Sequence, residues 1–308
     1  MKLKKPKFWD SSRFSFWVIL FFPISILFLL FSYIKKLKSP KKFPIPVICV
    51  GNIYLGGTGK TPLVSEIFKI TKSLGRNPAF VKKYYDYLED EITMLKKIGR
   101  IFVSKNRAEA IESLIENKND LAILDDGFQD FTINKNLSIV CFNQKQWIGN
   151  GFIIPSGPLR EKLSALKRAH CVFINGKTDT RIENEIYKEN KNIEIYYSKY
   201  KPLNINKFKN KTIIAFSGIG NPTNFFDLLI ENNVNLEEKI HFPDHYSYSQ
   251  KDIDKIIEIA NKKDAEIITT EKDFFRIKNL NHGNINYLSI NVNIDQEEKF
   301  IEELKNYI

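Results

Sequence analysis

Cysteine is scarce in this chain of 308 residues: Cys49, Cys141 and Cys171 are far apart, each inside an apolar stretch. That spacing excludes a disulfide framework and offers no zinc pattern, which fits a reduced, cytosolic setting for the main body. Acidic residues are nearly missing from positions 1–42, where Asp10 alone faces ten basic residues, Lys2, Lys4, Lys5, Lys7, Arg13, Lys35, Lys36, Lys38, Lys41 and Lys42. This segment holds +9 of the total formal charge of +11, so the other 266 residues carry only +2. Basic character is therefore local, which argues against nucleic acid as a partner. No short-period repeat is present, and the abundance of Lys, Asn and Ile reads as compositional drift. With 43% hydrophobic residues the chain has enough apolar material for a sizeable core.

Long hydrophobic runs are also rare, and the exception is informative. Residues 14–34 form 21 uncharged positions between the two lysine-rich clusters, enough to cross a bilayer as a helix. A buried core helix seldom combines such a run with basic flanks on both sides. The run is longer than the apolar part of a signal peptide and no small-residue cleavage site follows it. Five basic residues lie on each side, so the positive-inside rule gives no orientation. Pro23 can bend the helix, leaving two readings open: a span, or a dip into one leaflet with both clusters on anionic headgroups.

After the Pro-rich link at 39–46, short apolar runs alternate with helix-like stretches. Runs at 47–50, 79–81, 121–124, 139–142 and 171–174 read as buried strands, with helices near 60–74 and 108–115. The style repeats later, with strands near 213–216, 267–270 and 286–290 and helices near 224–229 and 251–260. The polar stretch 175–210 holds one strand-like piece, 193–197, and otherwise reads as a connection. The pattern predicts an α/β chain with a mainly parallel sheet flanked by helices, of P-loop type. It divides into a membrane anchor at 1–42, a main domain at 43–204 and a smaller α/β domain at 205–308.

The main chemical signal follows the first strand. Tyr54-Leu55-Gly56-Gly57-Thr58-Gly59-Lys60-Thr61 ends in Gly-Lys-Thr where a helix opens, the setting of a phosphate-binding loop. Glycines let backbone N–H groups turn inward around phosphate, Lys60 reaches the β and γ phosphates, and the Thr61 hydroxyl is a ligand for Mg²⁺. Tyr54 stands where the strict pattern has glycine, and Pro62 suits a first helical turn. Leu121-Ala122-Ile123-Leu124-Asp125-Asp126 has the form of a strand ending in acid. Asp125 is the expected Mg²⁺ partner of Thr61, and Asp126 the group that orients water or the metal's surroundings.

Six blocks in order resemble the tetraacyldisaccharide 4′-kinases of lipid A biosynthesis, over the whole chain. They are Val50-Gly51-Asn52-Ile53 running into the loop and Pro62; Asp125-Asp126-Gly127-Phe128-Gln129; Pro155-Ser156-Gly157-Pro158-Leu159-Arg160-Glu161; Ser217-Gly218-Ile219-Gly220-Asn221-Pro222; Phe242-Pro243-Asp244-His245; and Thr270-Glu271-Lys272-Asp273. The resemblance implies MgATP-dependent transfer of the γ-phosphoryl group to the 4′-hydroxyl of an acylated glucosamine disaccharide 1-phosphate. Several acyl chains keep such a substrate in the bilayer, so a membrane-anchored enzyme is implied, with its body on the cytoplasmic face of the inner membrane and no obligatory protein partner. Asp90, in Glu89-Asp90-Glu91, matches the family's catalytic aspartate, although by position alone it is also an ordinary helix-capping residue. His245 matches the histidine paired with that aspartate, where it can orient the carboxylate and share the proton. Gln129 is implied at the phosphate site, and Arg160 and Glu161 open a helix after a Pro-Gly turn.

The chain also departs from the family. Lys83-Tyr84-Tyr85-Asp86 replaces an Arg-Gly-Tyr-Gly block, the stretch before Asp90 is short, which implies a reduced flap over the nucleotide, and Asp130 replaces a histidine. The alternative function is a membrane-tethered P-loop ATPase that switches a protein partner. A guanine-reading loop would favour it, but Thr270-Glu271-Lys272-Asp273 has lysine in the third place rather than the second, so adenine is expected.

Overall fold

A computed structural model describes residues 5–10, 15–36, 39–85 and 88–308. Lys2, Lys4, Arg13, Phe14, Lys38 and Asp86, named above in the basic clusters, the apolar run and the tyrosine block, lie outside these residues. In chain order the elements are α1 (Phe16–Lys36), β1 (Val47–Gly51), α2 (Lys60–Ser73), β2 (Pro78–Lys83), α3 (Glu89–Ile98), β3 (Ile101–Ser104), α4 (Arg107–Glu116) and β4 (Leu121–Asp125). Next come β5 (Leu137–Asn143), β6 (Cys171–Asn175), α5 (Thr180–Glu189), β7 (Glu194–Pro202), β8 (Thr212–Ser217), α6 (Pro222–Glu231) and β9 (Asn235–His241). The chain closes with α7 (Gln250–Lys262), β10 (Glu266–Thr270), α8 (Glu271–Ile277), β11 (Asn286–Leu288), β12 (Ile290–Ile294) and α9 (Glu297–Lys305).

Two compact units are present, and they interleave in sequence. Among the described residues, the larger comprises those within 5–85, 98–199 and 292–308; the smaller comprises 88–97 and 200–291. A single cut at residue 205 would assign residues 88–97, 200–204 and 292–308 differently, because hydrophobic periodicity shows that a helix exists but not which sheet it packs on.

The larger unit is built on an eight-stranded sheet in the order β12-β7-β6-β5-β1-β4-β2-β3. From β3 to β7 the strands pair in parallel. Helices on both faces explain why β1, β4 and β5 are buried at every position and read as unbroken apolar runs. Each fully buried Ile or Leu here contributes roughly 1.5–3 kcal/mol of transfer free energy. β1 lies between β4 and β5, so the chain leaves β1 in one direction and later returns on its other side. The carboxyl ends of the strands at such a switch point form the crevice where α/β sheets bind ligands. The register Val50↔Asp125 brings the end of β4 beside the end of β1.

Helix α1 belongs to this unit and meets it along one face. Val18 and Ser25 are buried, and Leu29 packs against the main core, whereas Phe16, Ile19 and Phe31 are about two-thirds exposed or more. Ser25 Oγ donates to Ile153 O (2.9 Å) and accepts from Ser156 N (3.2 Å), and Ser156 Oγ donates to Val18 O (3.0 Å).

The smaller unit carries a four-stranded parallel sheet in the order β11-β10-β8-β9. One face packs Ile213, Ala215 and Ile268 with Phe226 and Leu229 of α6; the other packs Ile214, Phe216 and Ile267 with Ile253 and Ile256 of α7. A reciprocal capping box between Ser249 and Asp252 fixes the start of α7.

Three expectations are corrected. The stretch 175–210 is not mere connection: Asp179 caps α5 by accepting from Arg181 N and Ile182 N. Its apolar positions are few, which hid the amphipathic turn. Arg160 and Glu161 open no helix; a 3-10 turn at Leu163–Arg168 follows them instead. The run 286–290 is two strands, β11 and β12, which belong to different sheets. The three cysteines are free and buried in β1, β5 and β6, where burial pushes each thiol up from its ordinary value.

Candidate active site

The phosphate loop occupies the turn between β1 and α2. Gly59, just before the helix, adopts φ +87°, a left-handed conformation that side chains resist. Asn52 Nδ2 donates to Thr58 Oγ1 (2.9 Å), and Gln129 Nε2 donates to Asn52 O (2.8 Å). Gln129 thus ties the block at 125–129 to the entry of the loop. Tyr54, in the place of the missing glycine, is fully buried; its hydroxyl meets Lys5, and Leu55 N donates to Pro158 O (2.8 Å). The block at 125–129 approaches the start of the loop closely, since a Cβ added to Gly51 would lie 2.5 Å from Phe128 Cβ.

The acids at the end of β4 have different surroundings. Asp125 is 1% exposed and is ion-paired with Lys82, equally buried at the end of the neighbouring strand β2. Thr61 Oγ1 lies 3.4 Å from Asp125 Oδ2, while Asp125 Oδ1 is buried with no hydrogen-bond partner. Asp126 sits at φ +59° and accepts two bonds of 3.0 Å from Arg160, with Lys60 Nζ at 3.6 Å. Arg107 donates to Asp126 O (2.7 Å) and to Asp130 (3.1 Å). Burial alone would push the Asp126 carboxyl up, but Lys60 and Arg160 outweigh it and hold this group well below the ordinary carboxylate range. Three cations, Lys60, Lys82 and Arg160, face two carboxylates, which leaves an excess of positive charge at the start of α2.

Thr61 and Asp125 suit a magnesium ion. An orphaned buried carboxylate oxygen beside a hydroxyl is a hard-cation donor set, and no group of three His, Cys, Asp or Glu side chains is clustered among the described residues. A site with so few protein oxygens fits an ion that completes its shell with phosphate and water.

Lys82 was not legible as a site residue, since its only signal is a charge at the end of an apolar strand. Substituting Lys82→Met should leave Asp125 buried without its counter-charge, at a cost of about 3–5 kcal/mol. The thermal midpoint in detergent is expected to fall by about 10 °C. The double variant Lys82→Met, Asp125→Leu should recover most of that loss, and a melt unchanged by Lys82→Met would show that the pair does not hold the site together.

Asp90 and His245 lie in the smaller unit. Asp90, in the first turn of α3, is 6% exposed. Its Oδ2 accepts from Arg276 Nη2 (2.6 Å) and Nε (2.8 Å), and its Oδ1 is buried without a hydrogen-bond partner. Arg276 Nη2 also lies 3.2 Å from His245 Nδ1. Arg276, which the sequence did not reveal, therefore contacts both Asp90 and His245. Its only clue was position, three residues after Asp273 on α8. His245 adopts φ +53°, rare for a residue with a Cβ, and its N–H reaches Gly218 O (3.1 Å) and Asp244 Oδ1 (2.9 Å). Burial, then Lys272, pushes the imidazole below its ordinary value, against the opposing charge of Asp244.

The larger unit therefore has the loop, the acidic strand end and the cation excess of a P-loop nucleotide-binding protein, and the smaller unit has a buried carboxylate with one oxygen free. Fold and site define a P-loop phosphotransferase. A family model described as "LpxK: Tetraacyldisaccharide-1-P 4'-kinase" matches residues 17–87 and 86–308. The chain belongs to this tetraacyldisaccharide-1-P 4′-kinase family. A tetraacyldisaccharide 4′-kinase of Pelagibacter ubique is 45% identical over 99% of this chain and 98% of its own length. One from Rickettsia canadensis is 35% identical over 99% and 97%. A crystal structure of LpxK from Aquifex aeolicus in complex with ATP shares the fold, with TM-score 0.70 at 24% identity over 94% of this chain and 99% of that one.

Proposed function

We infer that this chain transfers the γ-phosphoryl group of ATP to the 4′-hydroxyl of a tetraacylated glucosamine disaccharide 1-phosphate, on the cytoplasmic face of the inner membrane. The observation that carries the reading is the register Val50↔Asp125, which sets the acidic strand end beside the phosphate loop inside a chain of this family. The backbone of Gly56, Gly57, Thr58 and Gly59 cradles the phosphates. Lys60 and Arg160 offset the charge that develops on the transferred group. Thr61 and Asp125 would hold Mg²⁺, which when bound neutralises phosphate charge and orients the β and γ groups. Asp126 keeps Lys60 and Arg160 in place. Asp90 accepts the proton of the attacking hydroxyl as its oxygen bonds to the γ-phosphorus and the bond to ADP breaks.

The exposed apolar face of α1 suits an acylated substrate that stays in a lipid layer. Contacts with the body run from Val18 to Leu29, about 16 Å of helix at 1.5 Å per residue. A helix held along that length favours insertion of its outer face into one leaflet over a free span, with the flanking lysines on anionic headgroups.

In the test, purified protein receives γ-labelled ATP and a tetraacylated disaccharide 1-phosphate in detergent micelles. Label should appear on the lipid at the 4′ position. Release of the label only as free phosphate would instead establish an ATPase switch.

A further inference from the structure

We propose that Arg276 is a positioning residue for the acceptor chemistry, fixing Asp90 and His245 in one arrangement that leaves a single carboxylate oxygen free to take the proton. The inference rests on the reading of Asp90 as proton acceptor, and extends it to the atom and to the state of the neighbouring ring.

A guanidinium has five N–H donors and no acceptor. In Arg276 each donor has a place. Nε and one Nη2 proton point to Asp90 Oδ2, at 2.8 and 2.6 Å. Nη1 serves Gly218 O at 2.7 Å and Asp273 Oδ1 at 2.9 Å. The second Nη2 proton faces His245 Nδ1 at 3.2 Å. The far side of this arrangement is itself anchored. Asp273 is fully buried, and its carboxylate accepts from Ser217 Oγ, Gly218 N, Thr270 Oγ1 and Tyr248 OH as well. The guanidinium is thus held by Asp273 and the Gly218 carbonyl, and in turn holds Asp90.

Two consequences follow from donor and acceptor rules alone. Because both contacts fall on Oδ2, Oδ1 of Asp90 keeps its lone pairs, and it is the buried oxygen without a partner. It is therefore the atom that accepts the hydroxyl proton. Because arginine cannot accept, His245 Nδ1 must present a lone pair, which places the ring hydrogen on Nε2. His245 is then neutral with its N–H on Nε2, which lies 3.8 Å from Asp244 Oδ1. A ring fixed in this state orients an oxygen by donating to it; it is not where the proton goes. The charges facing the ring are Lys272, Arg276, Asp244 and Glu91, and the first two favour the neutral form along with burial.

An ion network that merely ties α8 to α3 would have the same contacts, so the test needs readouts beyond folding. Arg276→Lys keeps the charge but loses the planar fork. In this variant kcat should fall about 10²-fold, the cost of misplacing a reacting group by about 1 Å. KM for ATP should stay within a factor of about three, since the nucleotide loop is untouched. In ¹⁵N spectra of histidine-labelled protein, wild-type His245 should show a bare Nδ1 and a protonated Nε2 near neutral pH, and Arg276→Met should lose that preference. Combined with Asp90→Asn, Arg276→Lys should add almost nothing to the single loss, because both changes act through one carboxylate. Wild-type kcat in Arg276→Lys, a protonated Nδ1 in the wild type, or full additivity in the double variant would each overturn the proposal. Should either Arg276 variant not fold, the wild-type spectrum still decides. Full turnover in Asp90→Asn alone would instead remove the proton-acceptor reading beneath it.

Discussion

Asp90→Asn should lower kcat by about 10²–10⁴-fold, the range spanned by general-base contributions, while the KM for ATP changes by less than about threefold. The amide is nearly isosteric with the carboxylate. Its oxygen can still accept the two Arg276 donors now served by Oδ2, so the local packing survives. The NH₂ group then takes the place of the free Oδ1, replacing an acceptor by a donor that cannot take a proton. Steady-state kinetics with the lipid acceptor, alongside equilibrium binding of a fluorescent ATP analogue, separate the two quantities. Turnover within tenfold of wild type would take Asp90 out of the reaction.

Lys60→Ala should abolish measurable phosphoryl transfer, with a loss of at least about 10²–10³-fold in the single-turnover rate, as for removal of one preorganised donor to developing charge. The effect has two sources. On the proposed reading Lys60 meets the β and γ phosphates, and with Arg160 and Lys82 it is also one of the cations that hold Asp126 ionised. Its loss leaves Arg160 as that carboxylate's direct ion-pair partner among the described residues, which binds the guanidinium more firmly to the protein and less to phosphate. Lys60→Arg should not restore the rate, because a longer, planar head does not fit a loop shaped for a point charge. A single-turnover rate within tenfold of wild type in Lys60→Ala would exclude this loop from the transfer step.

Local chemistry was the most legible part of the chain. The loop at 54–61 and the acids at 125 and 126 are each contiguous, and their proposed roles rest on spacing within a strand-turn-helix unit. The parallel sheet was legible too, since strands buried on both faces are apolar without interruption. Helix α5 was harder to see because its apolar positions are sparse, and β11 and β12 merged because a one-residue break leaves no trace in hydropathy. Lys82 and Arg276 were missed for another reason. Each looks like an ordinary surface cation until a partner from a distant part of the sequence is placed against it, Asp125 across a strand pair and Asp90 from another helix.

The sequence by itself determined the glycine-rich loop and the acidic strand end, the membrane-type helix and the alternation of strands and helices, because these depend on neighbours a few residues apart. Tertiary structure alone decided which strands became adjacent, which face of α1 was buried, and which charges were paired. Those outcomes depend on desolvation. A carboxylate removed from water must find a counter-charge or lose its ionised form, and only the assembled fold determines which cation comes within reach.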